Sequence, residues 1–188
     1  KAFRDNVNTG ANYYAGVTVY LAADIDMAGE NWVGIGSATA DHGFMGNFDG
    51  NGKTINGLKM NFNADEHNTL LGAATQANAG LFGVLTNGGV IKNLTVEGQI
   101  DVVAYAADGT NVGGIVAQVN GGTVSGCTSK VNITVGATAT ANVNVGGVIG
   151  AVSGSESEPV TIEKCNNTGA VTVNDENNKV VQPRVGGV

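Results

Sequence analysis

The fold is decided by the stretch from Ala79 to Val102, which reads AGLFGVLTNGGVIKNLTVEGQIDV. Similar stretches follow at residues 112–135 and 145–173, and residues 185–188 open a further copy. Matching positions in successive copies are 33 to 38 residues apart. A repeat of roughly 20 to 50 residues is typical of solenoids, propellers and related arrays. The sequence therefore predicts a single repeat domain over residues 1–188.

The composition favours a β-rich domain over a fibrous or disordered chain. The 188 residues include 30 glycines, and 42% of all residues are apolar. Glycine does not recur at every third position as it does in collagen, and the apolar content is too high for a disordered linker. Glycine dispersed among Val, Ile and Thr indicates many strands joined by tight turns.

The charge pattern argues against two classes of partner. The net charge is −7, and the nine Lys and Arg residues do not cluster. A nucleic-acid partner is therefore not expected, because phosphate backbones require a basic surface. No apolar run reaches the length of roughly 18 residues that a membrane-spanning helix needs. The sequence begins inside a predicted helix, so we expect the chain to be part of a longer protein.

Within each copy, apolar residues alternate with polar ones. Leu94, Val96 and Ile100 share one parity, and Thr95 and Glu97 lie on the other. This period of two is typical of a strand with one buried face. The same alternation recurs in the copies that follow.

One position in each copy breaks this alternation. Residues 54–58, 90–94, 123–127 and 161–165 align with steps of 36, 33 and 38 residues. In each segment two inward residues are three positions apart, so the chain must bend between them. Glycine and asparagine suit such a bend because they tolerate the left-handed conformation. The predicted bend residues are Gly57, Asn93, Gly126 and, against this preference, Lys164.

These features predict an all-β fold, a right-handed parallel β-helix of about four coils with three strands per coil. Phe3 and Val7 are four residues apart before Gly10, which predicts a short helix that caps the first coil. The predicted parts are a capping helix at 1–10, a first coil at 17–60, repeat coils at 79–102, 112–135 and 145–173, and the start of a further coil at 185–188.

At Gly80-Leu81-Phe82-Gly83 the sequence resembles the GLUG-motif repeats of bacterial surface and secreted proteins. Residues 114–117 and 147–150 are looser versions, and residues 48–55 resemble the segment that precedes such repeats. Proteins of this kind include adhesin-like surface proteins and the non-catalytic regions of IgA-cleaving metallopeptidases. The resemblance implies an extracellular or cell-surface location and a role as stalk, display scaffold or adhesin-like segment. It implies no catalytic centre, because His42 and His67 lack the HExxH context of a zinc peptidase.

One set of residues is a candidate partner surface. Phe82, Val116 and Ile149 alternate with the predicted inward set and are therefore expected to face outward, although all three are apolar. An exposed apolar column would suit a partner. Alternatively, the insertions at 61–78 and 104–110, with a third at 137–144, fold over the column and cover it.

Two further groups of residues are candidates for chemical sites. Asn47, Asp49 and Asn51 match the first half of a calcium loop, but Leu58 occupies the position of its final acidic ligand, so a plain turn is favoured and no metal is predicted. The two cysteines, Cys127 and Cys165, share one repeat phase and should stack inward on adjacent coils. They are either buried free thiols or a disulfide, since stacked strands bring Cα atoms within bonding range.

The sequence predicts a non-enzymatic module without a cofactor, whose partner is a host or cell-surface protein or glycan. A β-helix enzyme would display stacked carboxylates on its outer columns, and the predicted columns stack no two acids. The alternative is a carbohydrate-active β-helix, either a glycan-binding module or a polysaccharide-degrading enzyme. An exposed groove of aromatic residues would favour that alternative, and the candidates are Tyr13, Tyr14, Trp32 and Tyr105.

Overall fold

A computed structural model describes residues 1–36, 43–62, 77–104, 109–137, 141–175 and 180–188. These residues form one short helix, α1 (Ala2–Asn8), and strands β1 to β18, which pair in parallel. The prediction of an all-β chain with parallel pairing and a short N-terminal helix is confirmed. His42, His67 and Tyr105 lie outside the described residues, as do positions 63–76, 105–108 and 138–140 of the three predicted insertions.

The strands belong to four sheets. The first sheet contains β1 (Thr18–Tyr20), β3 (Asn47–Asp49), β7 (Val90–Lys92), β11 (Gly122–Ser125) and β15 (Val160–Glu163). The second contains β2 (Ile25–Asp26), β4 (Thr54–Phe62), β8 (Thr95–Ala104), β12 (Thr128–Ala137), β16 (Asn166–Asn167) and β17 (Val171–Val173). The third contains β5 (Ala77–Ala79), β9 (Thr110–Gly113), β13 (Ala141–Gly146) and β18 (Val180–Gly186). The fourth contains β6 (Phe82–Thr86), β10 (Val116–Asn120) and β14 (Ile149–Val152).

The chain passes through these sheets in the same order each time. From β3 onward the order is first, second, third and fourth sheet, and it then begins again. We call one such passage a rung. The prediction of three strands per coil is wrong, because each complete rung has four. The strand that was missed lies in the third sheet, where the predicted start of each copy is in fact the end of a strand.

Successive rungs stack in register. Strands β8 and β12 pair over ten positions, from Thr95 opposite Thr128 to Ala104 opposite Ala137. Glu97 and Lys130, which lie opposite each other, are 33 residues apart. The predicted alternation of the second sheet is confirmed, because Val96 and Ile100 are buried and Gln99 is exposed.

The predicted alignment of residues 54–58 with the later copies is wrong. Phe48, not Ile55, lies beside Ile91, and Ile55 lies beside Val96. The pairing of β4 with β8 then shifts register between Ile55 and Leu58, so Leu58 lies opposite Gly98. Residues 17–60, predicted as one coil, supply strands to two rungs, because β1 pairs with β3 and β2 pairs with β4. The irregular strand hides this shift from a simple sequence overlay.

The predicted bend between the first and second sheets is confirmed at Asn93, Gly126 and Lys164, whose φ angles are 54°, 60° and 54°. At Gly57 the prediction is wrong, because this residue, with a φ of 70°, lies within β4 at its register shift, and the corner of that rung lies between Asp49 and Thr54. The ladder continues through the bend, since the Asn93 N–H donates to the Ser125 carbonyl at 3.0 Å. A lysine therefore adopts the left-handed conformation where stacking on the rung before it requires one.

Glycine is required where the third sheet turns into the fourth. Gly113, Gly146 and Gly186 form one column of the third sheet. A Cβ on Gly113 would collide with the backbone carbonyl of Val116, and one on Gly146 would collide with that of Ile149. Only a residue without a side chain fits such an approach between backbones.

An asparagine ladder runs along the third sheet. The Asn111 side-chain amide donates to Asn78 at 3.0 Å, and that of Asn144 donates to Asn111 at 2.8 Å. Arg184 donates to the Asn144 side chain at 3.3 Å. Each Asn is 33 residues after the previous one, so the period of the sequence repeat could have predicted this ladder.

Helix α1 covers the beginning of the stack, as its predicted role of a cap requires. Val7 is fully buried, and the Phe3 ring lies 5.6 Å from that of Phe44. The Asn8 side chain donates to the Gly34 carbonyl at 3.0 Å and accepts from the Gly36 N–H at 2.6 Å. These contacts bind a helix too short to be stable alone to the first rung.

Candidate functional site

The column of Phe82, Val116 and Ile149 forms as predicted, but it is not a surface. Phe82 and Ile149 lie opposite Val116 in the fourth sheet. The exposed fraction is 0% for Phe82 and Val116 and 4% for Ile149. The expectation that this column faces outward and is exposed is wrong, so these side chains are not available to a partner.

The error lies in the assumption of strict alternation along β6. Leu81, Phe82 and Leu85 all belong to the core cluster. The Phe82 ring lies 5.4 Å from Phe44 and 5.2 Å from Phe48, which are also core residues. The chain comes out of a tight corner at Gly80, so the inward positions are spaced one and then three residues apart.

The outer face of the second sheet does not resemble a hydrolytic centre. Glu97 lies opposite Lys130, and their side chains form an ion pair at 2.7 Å. Asp101 lies opposite Thr134, which lies opposite Thr172. Along these described columns no two carboxylates are stacked, whereas general acid–base hydrolysis of a glycosidic bond needs such a pair.

The candidate calcium loop is a turn that supports the next rung. Asp49 accepts from the Asn51 N–H at 2.9 Å and from the Asn93 side chain at 3.1 Å. Lys92 lies 3.4 Å from the same carboxylate. Burial alone would raise the pKa of Asp49, but the hydrogen bonds and the charge of Lys92 hold that pKa below its usual value. Its described partners thus already occupy the carboxylate.

A cavity of about 490 Å³ lies beneath helix α1, between the helix and the first two rungs. Its volume is within the range of about 300–1,000 Å³ that is usual for small-ligand sites. The lining is largely apolar, with charged side chains added by the helix and by the segment that follows β2. The lining residues used below are Phe3, Arg4, Leu21, Asp26, Glu30 and Trp32.

Trp32 is fixed in the cavity wall. Its indole N–H donates to the Leu81 carbonyl at 3.1 Å, and the Arg4 guanidinium lies 4.7 Å from its ring centre. Glu30 pairs with Lys1 at the rim. Asp26 accepts from the Ala28 N–H at 2.8 Å. The site therefore combines a rigid aromatic wall with carboxylates, an arrangement suited to a small molecule that has both apolar and hydroxyl groups.

The aromatic residues predicted as glycan candidates do not converge. Trp32 lines the cavity, whereas Tyr13 and Tyr14 pack against the core. Tyr105 lies outside the described residues. Sequence reasoning missed Phe3 and Leu21 as lining residues, because both read simply as core positions of separate elements.

The two cysteines are free thiols on neighbouring rungs. Cys127 is fully buried, and Cys165 is partly buried. As predicted, the two cysteines stack on each other and face the core. Of the alternatives left by the sequence, the structure has the free thiols.

The described residues contain neither a cluster of metal ligands nor a membrane-spanning helix. Among the described residues no group of three or more His, Cys, Asp or Glu side chains could hold a metal ion. In the same part of the chain no helix is long and apolar enough to cross a membrane.

Comparison with known proteins gives little support for a family. No family of proteins matches the sequence, and no curated protein matches it. A solved structure of a Bacteroides ovatus protein, provisionally described as an immunoglobulin A1 protease, is 14% identical to this chain. The alignment covers 98% of this chain and 80% of that one, with a TM-score of 0.32. A TM-score this low supports no argument about this chain's activity.

Proposed function

We propose that this chain is a right-handed parallel β-helix that serves as a non-enzymatic stalk or display scaffold in a bacterial surface or secreted protein. The observation that carries this proposal is the in-register parallel pairing of successive rungs in all four sheets. The glycines at the corner between the third and fourth sheets supply the second argument, because a Cβ on Gly113 or Gly146 would collide with the backbone there.

The outer columns of the second sheet suit a scaffold. Their members in β8 and β12 are Thr, Gln, Asn, Asp101 and the ion pair of Glu97 with Lys130. A scaffold needs each rung to be held by its neighbours, and repeat proteins gain most of their stability from such interfaces. Side chains that point outward from a structure of this kind can vary without loss of the fold.

Single-molecule force spectroscopy tests the scaffold role. The chain should unfold in steps of one rung, each adding about 33 residues, or about 115 Å, of contour length. Incubation with a panel of polysaccharides should release no new reducing ends. Sustained turnover of any polysaccharide would contradict the non-enzymatic role, and extension in a single low-force event would contradict the rung-by-rung scaffold.

A second candidate function, glycan binding, is favoured by the cavity alone. Trp32 offers a ring on which the apolar face of a sugar could stack, and Asp26 and Glu30 offer acceptors for hydroxyl groups. Binding of an oligosaccharide by calorimetry should then weaken at least tenfold in Trp32→Ala. The matched control is Tyr20→Ala, because Tyr20 is 64% exposed and is not part of the cavity lining.

The outcome of that titration tests the glycan-binding candidate independently of the scaffold role. Equal weakening by both variants, or no binding by the wild-type chain, would exclude the cavity as a glycan site. The scaffold proposal would be unaffected, because it does not depend on the cavity.

A further inference from the structure

Cys127 and Cys165 occupy the same position in consecutive rungs. Ser125 lies opposite Glu163 before them, and Thr128 lies opposite Asn166 after them. The Asn166 N–H donates to the Cys127 carbonyl at 2.9 Å, which fixes the register at the cysteines themselves. Strands paired in this way are about 4.8 Å apart. That spacing is within the range of about 4.4–6.8 Å between Cα atoms that disulfides use.

The two thiols also have equivalent surroundings. The Cys127 sulfur lies 3.8 Å from the Ile91 carbonyl and 3.3 Å from that of Ser125. The Cys165 sulfur lies 3.5 Å from the Val124 carbonyl and 3.4 Å from that of Glu163. Each thiol thus meets an inward residue of the rung before it and the residue two positions earlier in its own rung. The side chains therefore point the same way rather than apart, and side chains that pointed apart could not be bridged.

We propose that Cys127 and Cys165 form a disulfide between rungs when the folded protein meets a small-molecule disulfide, and that this bond fastens the last rung to its neighbour. The Cys165 sulfur, as thiolate, attacks one sulfur of the reagent, whose S–S bond breaks and releases one thiolate. The Cys127 thiol loses its proton and attacks the Cys165 sulfur, which releases the second thiolate. The two protein thiols lose two electrons in total, and the reagent is reduced to two thiols that take up the two protons.

The difference in burial sets this order of events. Cys165 is partly exposed, so a reagent can reach it, whereas Cys127 is fully buried and can react only with a sulfur already beside it. The neighbouring Cys127 thiol lowers the pKa of Cys165 below its ordinary value, which favours the attacking thiolate. The neighbouring Cys165 sulfur, together with burial, raises the pKa of Cys127.

The test compares the folded chain before and after incubation with oxidised glutathione. Thiol titration should show both cysteines lost together, and the intact mass should fall by two hydrogens without an attached glutathione. Peptide mapping under non-reducing conditions should link the Cys127 and Cys165 peptides. The melting temperature should rise by about 5–10 °C, because the bond closes a loop between the two rungs.

Cys165→Ser is the matched control, since it leaves the buried Cys127 in place. Its melting temperature should not respond to oxidised glutathione. Two results with the wild-type chain would overturn the proposal. One is a stable mixed disulfide on Cys165, and the other is a pair of thiols that remain titratable after long exposure. A bond found only between two chains would also overturn it.

Discussion

The two ends of the stack are built from the same repeat but differ in how their apolar side chains are covered. At the beginning, helix α1 lies over Phe44 and Phe48, whose exposed fractions are 0% and 5%. At the other end, Val152 in the last strand of the fourth sheet and Ile162 in the last strand of the first sheet are 51% and 39% exposed. The difference teaches that a position in this repeat is buried by its neighbours along the stack rather than by its own rung.

One column shows this most clearly. Phe48, Ile91, Val124 and Ile162 are successive members of it in the first sheet. The first three are buried, but Ile162 is not, although all share the same inward phase. If stability resides in the interfaces between rungs, equal substitutions in this column should have unequal effects.

The largest expected effect comes from removing an apolar side chain in this column. Ile91→Ala should lower the free energy of unfolding by about 2–5 kcal/mol, because it leaves a cavity in a fully buried site. Ile162→Ala removes the same atoms and should cost about 1 kcal/mol or less. Urea denaturation of both variants provides the measurement. Equal losses would break the comparison between the interior and the last rung.

A smaller but sharper contrast is expected in the glycine column. Gly113→Ala should destabilise by about 3 kcal/mol, since its new methyl group meets the Val116 carbonyl and the backbone must move. In Gly186→Ala the nearest atom to the new methyl group, the Val188 carbonyl oxygen, is at 3.4 Å, an ordinary contact. That variant should change the melting temperature little. A strongly destabilised Gly186→Ala would show that the last rung is as tightly packed as the others.

The smallest expected effect concerns charge near the capped end. Asp49→Asn should cost about 1 kcal/mol at pH 7, because it removes the ion pair with Lys92 and weakens two charge-assisted hydrogen bonds. The pKa of Asp49 is lowered by folding, so its stabilisation is present above its unfolded pKa of about 3.9 and is lost as the pH falls through the folded value.

The wild-type chain and Asp49→Asn should therefore converge in stability once the pH has fallen through the folded pKa of Asp49. Glu163→Gln is the matched control, because Glu163 belongs to the same column in the last rung and is exposed. It should change the melting temperature little at pH 7. A difference between wild type and Asp49→Asn that persists at low pH would show that charge is not the cause.

Much of the fold could be predicted from local patterns. The alternation along β8 and β12 was readable because each strand has a fixed polar and apolar face. The bend was readable even at Lys164, since the phase of the repeat outweighs the preference of a single residue. These features depend on residues within one rung, which are close together in the sequence.

The rest depends on geometry that a sequence does not list. The strands of the third sheet end at the glycine corner, so their residues looked like the start of the next element. Phe82 was assigned to the wrong face because the corner at Gly80 resets the alternation. The cavity arises where α1, the segment after β2 and the core meet, and no single segment carries a pattern for it.

The central claim is that consecutive rungs of four strands stack in parallel register. Backbone nuclear Overhauser contacts in the isotope-labelled chain test it most directly. Parallel stacking should give contacts between residues 33 apart in the interior, such as Asn111 with Asn144 in the third sheet and Thr95 with Thr128 in the second. Contacts that instead join adjacent strands in antiparallel register, such as β7 with β8, would contradict it.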